Sequence, residues 1–438
     1  MNKVLIIGNG AREHVIADTL MRSNRTPELF VFGGAKNPEL EKLTSGYEVG
    51  DVTDLDAIKA FAKSIQPDVA IPGPEGPIAV GVVDMLDEMN IPSIAPHKTT
   101  ARLESSKSFT RNLLRKYNIP GNPKFKVFTQ EAGLEIYMIN ELEGEFVVKA
   151  DGLKGGKGVK VVGDHLANVA EGAAYARECI IDSGHVVIEE KFVGEEFSLM
   201  SFVDGETVTD MIPVQDHKRA YENDEGPNTG GMGSYGDANH LLPFLTEKDI
   251  QDAHDITVQV AKAIHEETGI PFRGIMFGGF IAVKDGVRLI EYNARFGDPE
   301  AMNCLPLLKT DFMDICEAMV RRELKGMPIE FEKKASVCKY VVPNGYPDKP
   351  VKGEKIIVSD IPSNVRAFYG SVDQKEDGLY LSGSRAIAFV GIGDSLDEAE
   401  QAAQNAVSSV KGPVFYRSDI GTAELLQKRI DMMKSLRG

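Results

Sequence analysis

A chain of 438 residues exceeds what one hydrophobic core organises, so roughly two to four domains are expected. Apolar residues make up 42% and charged residues 26%, the profile of a folded rather than a disordered protein. Acidic residues outnumber basic ones by 66 to 49, and the formal net charge of -17 argues against nucleic acid or an anionic membrane as the main partner. Any phosphate-bearing ligand must then be held by local groups of Lys, Arg and backbone N–H.

The chain opens with a run too short for a signal-peptide core, and no apolar stretch approaches the ~20 residues of a membrane helix. Cys179, Cys304, Cys316 and Cys338 form no C-x-x-C pair and read as reduced thiols, so the cytoplasm is the expected compartment. Apolar runs at 4–7, 29–32 and 69–71 read as buried parallel strands. Between them Asp54 caps a helix with Leu55, Ile58, Phe61, Ala62 and Ile65 on one face, stopped by Pro67. This is a βαβ pattern, predicting an open parallel sheet with helices on both faces.

Gly8-Asn9-Gly10-Ala11-Arg12-Glu13-His14 joins the first strand to its helix. It fails as a dinucleotide fingerprint: Glu13 takes the third glycine position, and no acid follows the second strand. It reads either as a phosphate site on helix N-terminal amides with Arg12 beside it, or as a tight turn only. Gly73-Pro74-Glu75 follows a parallel strand at the same sheet edge, where open α/β sheets bind ligands.

The stretch 91–96 contains two prolines and reads as the exit from that domain. A helix then starts at Ser105 or Ser106 and ends near Asn118. β-branched runs at 146–149, 159–162 and 186–189, joined by glycine-rich turns, predict a small antiparallel unit. Lys149-Ala150-Asp151-Gly152-Leu153-Lys154-Gly155-Gly156-Lys157-Gly158 is the most informative segment. It is not a P-loop, since Lys157 stands where the second glycine belongs and no helix follows. Four glycines beside three lysines suggest amides packed close to phosphates, with a mobile hairpin as the plainer reading.

Glu189-Glu190-Lys191-Phe192-Val193-Gly194-Glu195-Glu196 reads alone as a solvated rim; beside a nucleotide loop it offers acceptors to adenine and ribose. Glu291 and Asn293 share one strand face, and one carboxylate with one amide oxygen is a common Mg²⁺ arrangement, phosphates and water completing the shell. Arg295 follows as a phosphate clamp. Short strands at 336–342, 355–358 and 385–391, with an Ala-rich helix after Ser395, predict a separate α/β end domain. No Ser/His/Asp set, H-E-x-x-H or zinc spacing is present; chemistry by phosphate positioning needs none.

These residues resemble an ATP-grasp enzyme: Lys107, the strand lysine with its glycine hairpin, and Glu291-x-Asn293. Gln215-Asp216-His217-Lys218-Arg219, Gly226-Pro227-Asn228-Thr229-Gly230-Gly231-Met232-Gly233 and Arg295-Phe296-Gly297-Asp298-Pro299-Glu300 resemble the phosphoribosylamine–glycine ligase family over nearly the whole chain, as do the loops at Gly8 and Gly73. The resemblance implies three units: an N-terminal βαβ substrate domain at 1–103, an ATP-grasp domain at 104–325 with a glycine-loop subdomain near 123–193, and a C-terminal α/β domain at 330–438. It implies ATP-dependent ligation of glycine to 5-phosphoribosylamine, with Mg²⁺ or Mn²⁺ and a glycyl phosphate intermediate, in a monomer or weak homo-oligomer. Another ATP-grasp ligase or carboxylase acting on a related ribonucleotide is the alternative.

By that resemblance Glu291 and Asn293 hold the metal. Lys107, Lys149, Asp151, Gly152, Gly155, Gly156, Lys157 and Gly158 hold ATP phosphates, and Glu189, Glu190, Val193 and Glu196 receive adenine and ribose. Arg295, Lys218 and Asp216 act in catalysis. Gly8, Gly10, Arg12, Glu13, His14, Gly73, Pro74, Glu75, Asn228, Thr229, Gly230 and Gly231 receive the substrates. Phe277 to Val283 carries no acid, so the metal shell is short of protein ligands.

Overall fold

The structure, a computed structural model, describes residues 1–155 and 158–438. Its first sheet pairs Lys3–Ile7 in parallel with Glu28–Gly33 on one side and Val69–Pro72 on the other. Gly46–Val49, only four residues and half exposed, adds an edge strand that the apolar pattern did not signal. The predicted helix is Leu55–Ile65; Asp54 accepts from the N–H groups of Asp56 and Ala57, and Gln66 in the left-handed region ends it ahead of Pro67. Lys3–Ile7 is almost wholly buried, as a strand covered on both faces must be.

Ser106 caps the helix Lys107–Lys116 by accepting from Phe109 N–H, which places Lys107 at its first position. The small antiparallel sheet runs in the order Phe125–Phe128, Val186–Glu190, Phe146–Ala150, Val159–Val161. Helices Leu134–Asn140 and Val169–Ser183 cover it, and Phe128, Met138, Phe146, Val148 and Ile188 form a core of its own. The larger central sheet is antiparallel, in the order Val208–Asp210, Glu195–Asp204, Arg273–Val283, Gly286–Asn293.

The C-terminal part shares a sheet with the central region. Ala335–Pro343 pairs with Ile387–Gly393 on one edge and with the central segment Gly233–Gly236 on the other, making one continuous sheet. Lys339, at the middle of that strand, is fully buried and donates to Glu400, Gln404 and the carbonyl of Ser418. The last helix, Ala423–Arg437, returns to the central region, where Arg437 binds Asp249 through two 2.8 Å contacts. Period-2 patterning reveals a strand but not its partner, and the sharing of this sheet is non-local.

Candidate active site

One cleft lies where these units meet. Glu291 and Asn293 enter it from the end of Gly286–Asn293, and Lys107, Thr110 and Arg111 from the first turns of their helix. Leu153, Lys154, Gly155 and Gly158 come from the glycine loop, Glu75 from the N-terminal unit, and Glu104 and Arg295 close the far wall. Gly152 and Gly155 have φ of +95° and +55°, and a side chain there would meet no atom of the described residues within 4 Å. Gly156 and Lys157 lie outside the described residues.

The cleft floor is a buried ion triad. Glu189 accepts from Arg111 Nε at 2.6 Å and Nη2 at 2.9 Å, and its Oε2 lies 2.8 Å from Lys149 Nζ. Arg111 and Lys149 also donate to the carbonyl of Ile290, tying the small sheet to the strand of Glu291. Glu189 is therefore neither a rim acid nor a free acceptor for adenine: both of its oxygens are taken. Glu190 accepts from Lys124 N–H at 2.7 Å, Val193 is exposed, and Glu196 is exposed beside Lys218 at 3.4 Å. Burial alone would raise the Glu291 pKa, but Lys218, Lys107, Lys149 and Arg295 outweigh it and hold the carboxylate ionised.

Asp151 is a junction rather than a ligand-facing group. It accepts from Lys107 N–H at 2.6 Å, Ser108 Oγ at 2.5 Å and Gly152 N–H at 3.0 Å, with His185 Nε2 2.5 Å away. Lys107 Nζ donates to Gly152 O at 2.9 Å, so helix start and loop stem are fixed to each other. A carboxylate at a helix N-terminus also meets the positive end of its dipole.

Arg295 is buried among acceptors. Its Nη2 lies 3.2 Å from Glu104 and donates to Asn293 Oδ1 at 3.3 Å, its Nη1 donates to Phe296 O at 3.1 Å, and its Nε lies 3.3 Å from Glu75. Behind Glu75, the loops at Gly8 and Gly73 close on Glu13, which accepts from Gly10 N–H at 2.5 Å and Arg12 Nε at 2.8 Å. A Cβ on Gly73 would fall 1.9 Å from Glu13 Oε1, and one on Gly8 would fall 2.7 Å from Pro74. Glu13 thus fills its own loop. His14 points away, accepting Tyr369 N–H at 2.9 Å and packing on Phe368; burial and then Lys42 push its pKa down to about 4. Both residues serve the fold where substrate contact was expected.

The two middle strings form one hairpin. Thr229 N–H donates to Lys218 O and Met232 N–H to His217 O, and Asn228 stands opposite Arg219. Gly230 and Gly231 present their carbonyls to Arg385 Nη1 at 2.6 and 3.0 Å, and Arg385 also pairs with Asp298, itself held by Tyr340. Burial raises the pKa values of Asp216 and Glu300, and for Asp216 the charge of Glu300 adds to it. Among the described residues Asp216 Oδ1 has no hydrogen-bond partner, whereas Glu300 accepts from Ser198 at 3.0 Å. Lys218, beside them, is held protonated first by Glu196 and then by Asp216. Glu104, Arg111, Glu300 and Arg385 were missed in the sequence; only Glu300, at the end of the Arg295 string, carried a signal.

A lysine-bearing glycine hairpin on a small antiparallel sheet, facing a carboxylate–amide pair on a larger one beside a parallel N-terminal sheet, defines an ATP-grasp ligase. The phosphoribosylglycinamide synthetase profiles match in three consecutive parts: the N domain at 2–104, the ATP-grasp (A) domain at 105–301 and the C domain at 336–423. The phosphoribosylamine–glycine ligase of Methanosarcina acetivorans is 47% identical over 436 residues, covering 100% of this chain and 98% of that one. That of Methanocaldococcus jannaschii is 48% identical over 445 residues, covering 99% and 100%. The crystal structure of the Thermotoga maritima phosphoribosylamine–glycine ligase aligns with a TM-score of 0.80 at 27% identity, over 95% of this chain and 99% of that one. A biotin carboxylase domain from Hydrogenobacter thermophilus, 14% identical with a TM-score of 0.71 over 99% of this chain and 94% of that one, shares the fold alone. The chain belongs to the phosphoribosylamine–glycine ligase family.

Proposed function

We propose that the protein uses ATP to join glycine to 5-phosphoribosylamine, giving glycinamide ribonucleotide, ADP and phosphate, by way of glycyl phosphate. The carrying observation is the cleft itself, where Glu291, Asn293, Lys107 and the glycine loop face Arg295 and the N-terminal Glu75. A glycine carboxylate oxygen attacks the γ-phosphorus of ATP and ADP leaves. The phosphoribosylamine nitrogen then adds to the acyl carbon, loses a proton and expels phosphate. Positioning and charge neutralisation suffice for both steps, which fits a cleft with no paired nucleophile and base.

Lys107, Lys154 and the loop amides receive the phosphates, and adenine and ribose fall to 190–196, with Glu189 acting only through Arg111 and Lys149. Glu291, ionised, and the Asn293 oxygen suit Mg²⁺ or Mn²⁺; among the described residues no cluster of three His, Cys, Asp or Glu exists, so phosphate and water oxygens would complete the shell. That cation supplies charge neutralisation at the phosphates. Asp216, Lys218 and the 228–231 hairpin receive glycine, whose ammonium finds an unpartnered acceptor in Asp216 Oδ1. The loops at Gly8 and Gly73 receive the phosphosugar through backbone N–H groups and Arg12.

We assign the units as 1–103, 104–325 and 330–438, with the glycine-loop subdomain at about 123–193. The protein acts in the cytoplasm as a monomer or weak homo-oligomer, without nucleic acid or membrane; among the described residues no helix is long and apolar enough to cross one. Glycine labelled with ¹⁸O in its carboxylate should pass one labelled oxygen into released phosphate during turnover. Unlabelled phosphate would rule out glycyl phosphate, and the absence of product from all three substrates would rule out the ligase itself.

A further inference from the structure

Arg295 cannot serve a transferring phosphoryl group while it stands as found. Its guanidinium is 17% exposed and meets Glu104, Glu75, Asn293 and the Phe296 carbonyl. The two carboxylates differ in kind. Glu104 is 8% exposed and accepts Ala294 N–H at 2.8 Å, so it is anchored to the strand end that carries Arg295. Glu75 is 33% exposed, belongs to the N-terminal unit and begins a short helix on the Gly73 loop. Its contact is also imperfect: Arg295 Nε sits 3.3 Å from Glu75 Oε2 yet is a buried donor without a hydrogen bond. Such a donor is held by charge and left short of a partner, so it gains by moving to a better acceptor.

We propose that Glu75 is a positioning residue that withholds Arg295 from the phosphates until the phosphosugar arrives. Ribose hydroxyls or the sugar-borne amine donate to Glu75, loosen its hold on Arg295, and let the guanidinium turn toward the transferring phosphoryl group while Glu104 keeps it tethered. ATP is then spent on glycine only when the acceptor amine is in place, which protects an acyl phosphate that water would otherwise hydrolyse. This rests on the ligase reading above and adds to it a coupling between the two ends of the cleft.

Two measurements test it. In wild-type enzyme given ATP and glycine but no amine, ADP release should be slow, and ribose 5-phosphate (the sugar without the amine) should accelerate it. In Glu75→Gln the same amine-independent release should rise about tenfold or more, because the charge that holds Arg295 toward the N-terminal unit is gone. ADP formed per glycinamide ribonucleotide should rise above one to one, and Glu75→Asp should restore the ratio. A purely structural role would lower all rates together and leave that ratio unchanged. The proposal is overturned if wild-type enzyme makes product but ribose 5-phosphate, though bound, does not accelerate ADP release, or if E75Q stays tightly coupled. Failure of wild-type enzyme to make product would instead overturn the ligase reading.

Discussion

Glu189→Gln is the sharpest test of how the cleft floor is built. The substitution preserves shape and removes one negative charge from between two buried cations. Arg111 Nε at 2.6 Å, Arg111 Nη2 at 2.9 Å and Lys149 Nζ at 2.8 Å would face a neutral amide, half of which is itself a donor. The carbonyls of Leu289 and Ile290 remain as acceptors but carry no charge to offset either cation. Breaking a buried ion pair from one side costs about 3–5 kcal/mol, because an uncompensated charge stays behind. Against a typical stability of about 5–15 kcal/mol that is a large fraction. Urea unfolding followed by circular dichroism should show the midpoint fall, with ATP KM measured on the folded fraction. A variant within about 1 kcal/mol of wild type, with ATP KM strongly raised, would refute the triad and return Glu189 to adenine recognition.

Glu291→Gln should lower kcat by an amount equivalent to several kcal/mol and raise the Mg²⁺ requirement with the fold intact; ordinary turnover at ordinary Mg²⁺ would remove Glu291 from the metal site. Gly73→Ala should drive Glu13 out of its loop, since the added Cβ would lie 1.9 Å from Glu13 Oε1, costing about 1–3 kcal/mol and raising the KM for the phosphosugar amine more than that for ATP. His14 and His217 stay neutral when folded, with pKa values pushed down to about 4 and about 3 from 6.5, so the unfolded chain takes up their protons first. Their stabilisation is complete above pH 6.5 and is lost as pH falls toward those values, each at up to ~1.4 kcal/mol per pH unit. Urea midpoints at several pH values check the slope, and His14→Gln, which keeps an acceptor for Tyr369 N–H, should remove the share due to His14.

Three strands of the first sheet were legible because they are largely buried and read as continuous apolar runs, and its helix because Asp54 and Pro67 bracket it. Ser106 as a cap and the glycine hairpin were legible for the same local reason. The burial of Glu189 was not legible because acid density along a segment says nothing about which face a strand buries. The residue that draws it inward, Arg111, lies 78 positions away. Arg385 had no signal at all: it reaches Gly230 and Gly231 from 155 and 154 positions away, through a sheet that spans two units. Pattern reading finds what neighbours in sequence dictate, and the ion pairs that shape this cleft are made by residues distant in the chain.

The cations of the cleft fall into two sets once burial is weighed against charge, and the division explains how an acidic protein receives a polyphosphate. Arg111 and Lys149 are locked to Glu189 out of water, where separating a pair leaves a stranded charge, so they form a fixed floor. Among the described residues Lys107 Nζ meets a neutral carbonyl, that of Gly152. Lys154 holds Asp182 at exposures of 34% and 64%, and Lys218 holds Glu196 at 45% and 55%, and such solvated pairs are worth about 1 kcal/mol or less. Exchanging those partners for phosphate oxygens therefore costs little, while the floor does not rearrange. Arg295 lies between the two sets, too buried to exchange freely and too poorly bonded at Nε to be part of the floor. Among the described cations lining this cleft it is the one whose partner comes from the N-terminal unit, and a group so placed can report across the cleft at small energetic cost.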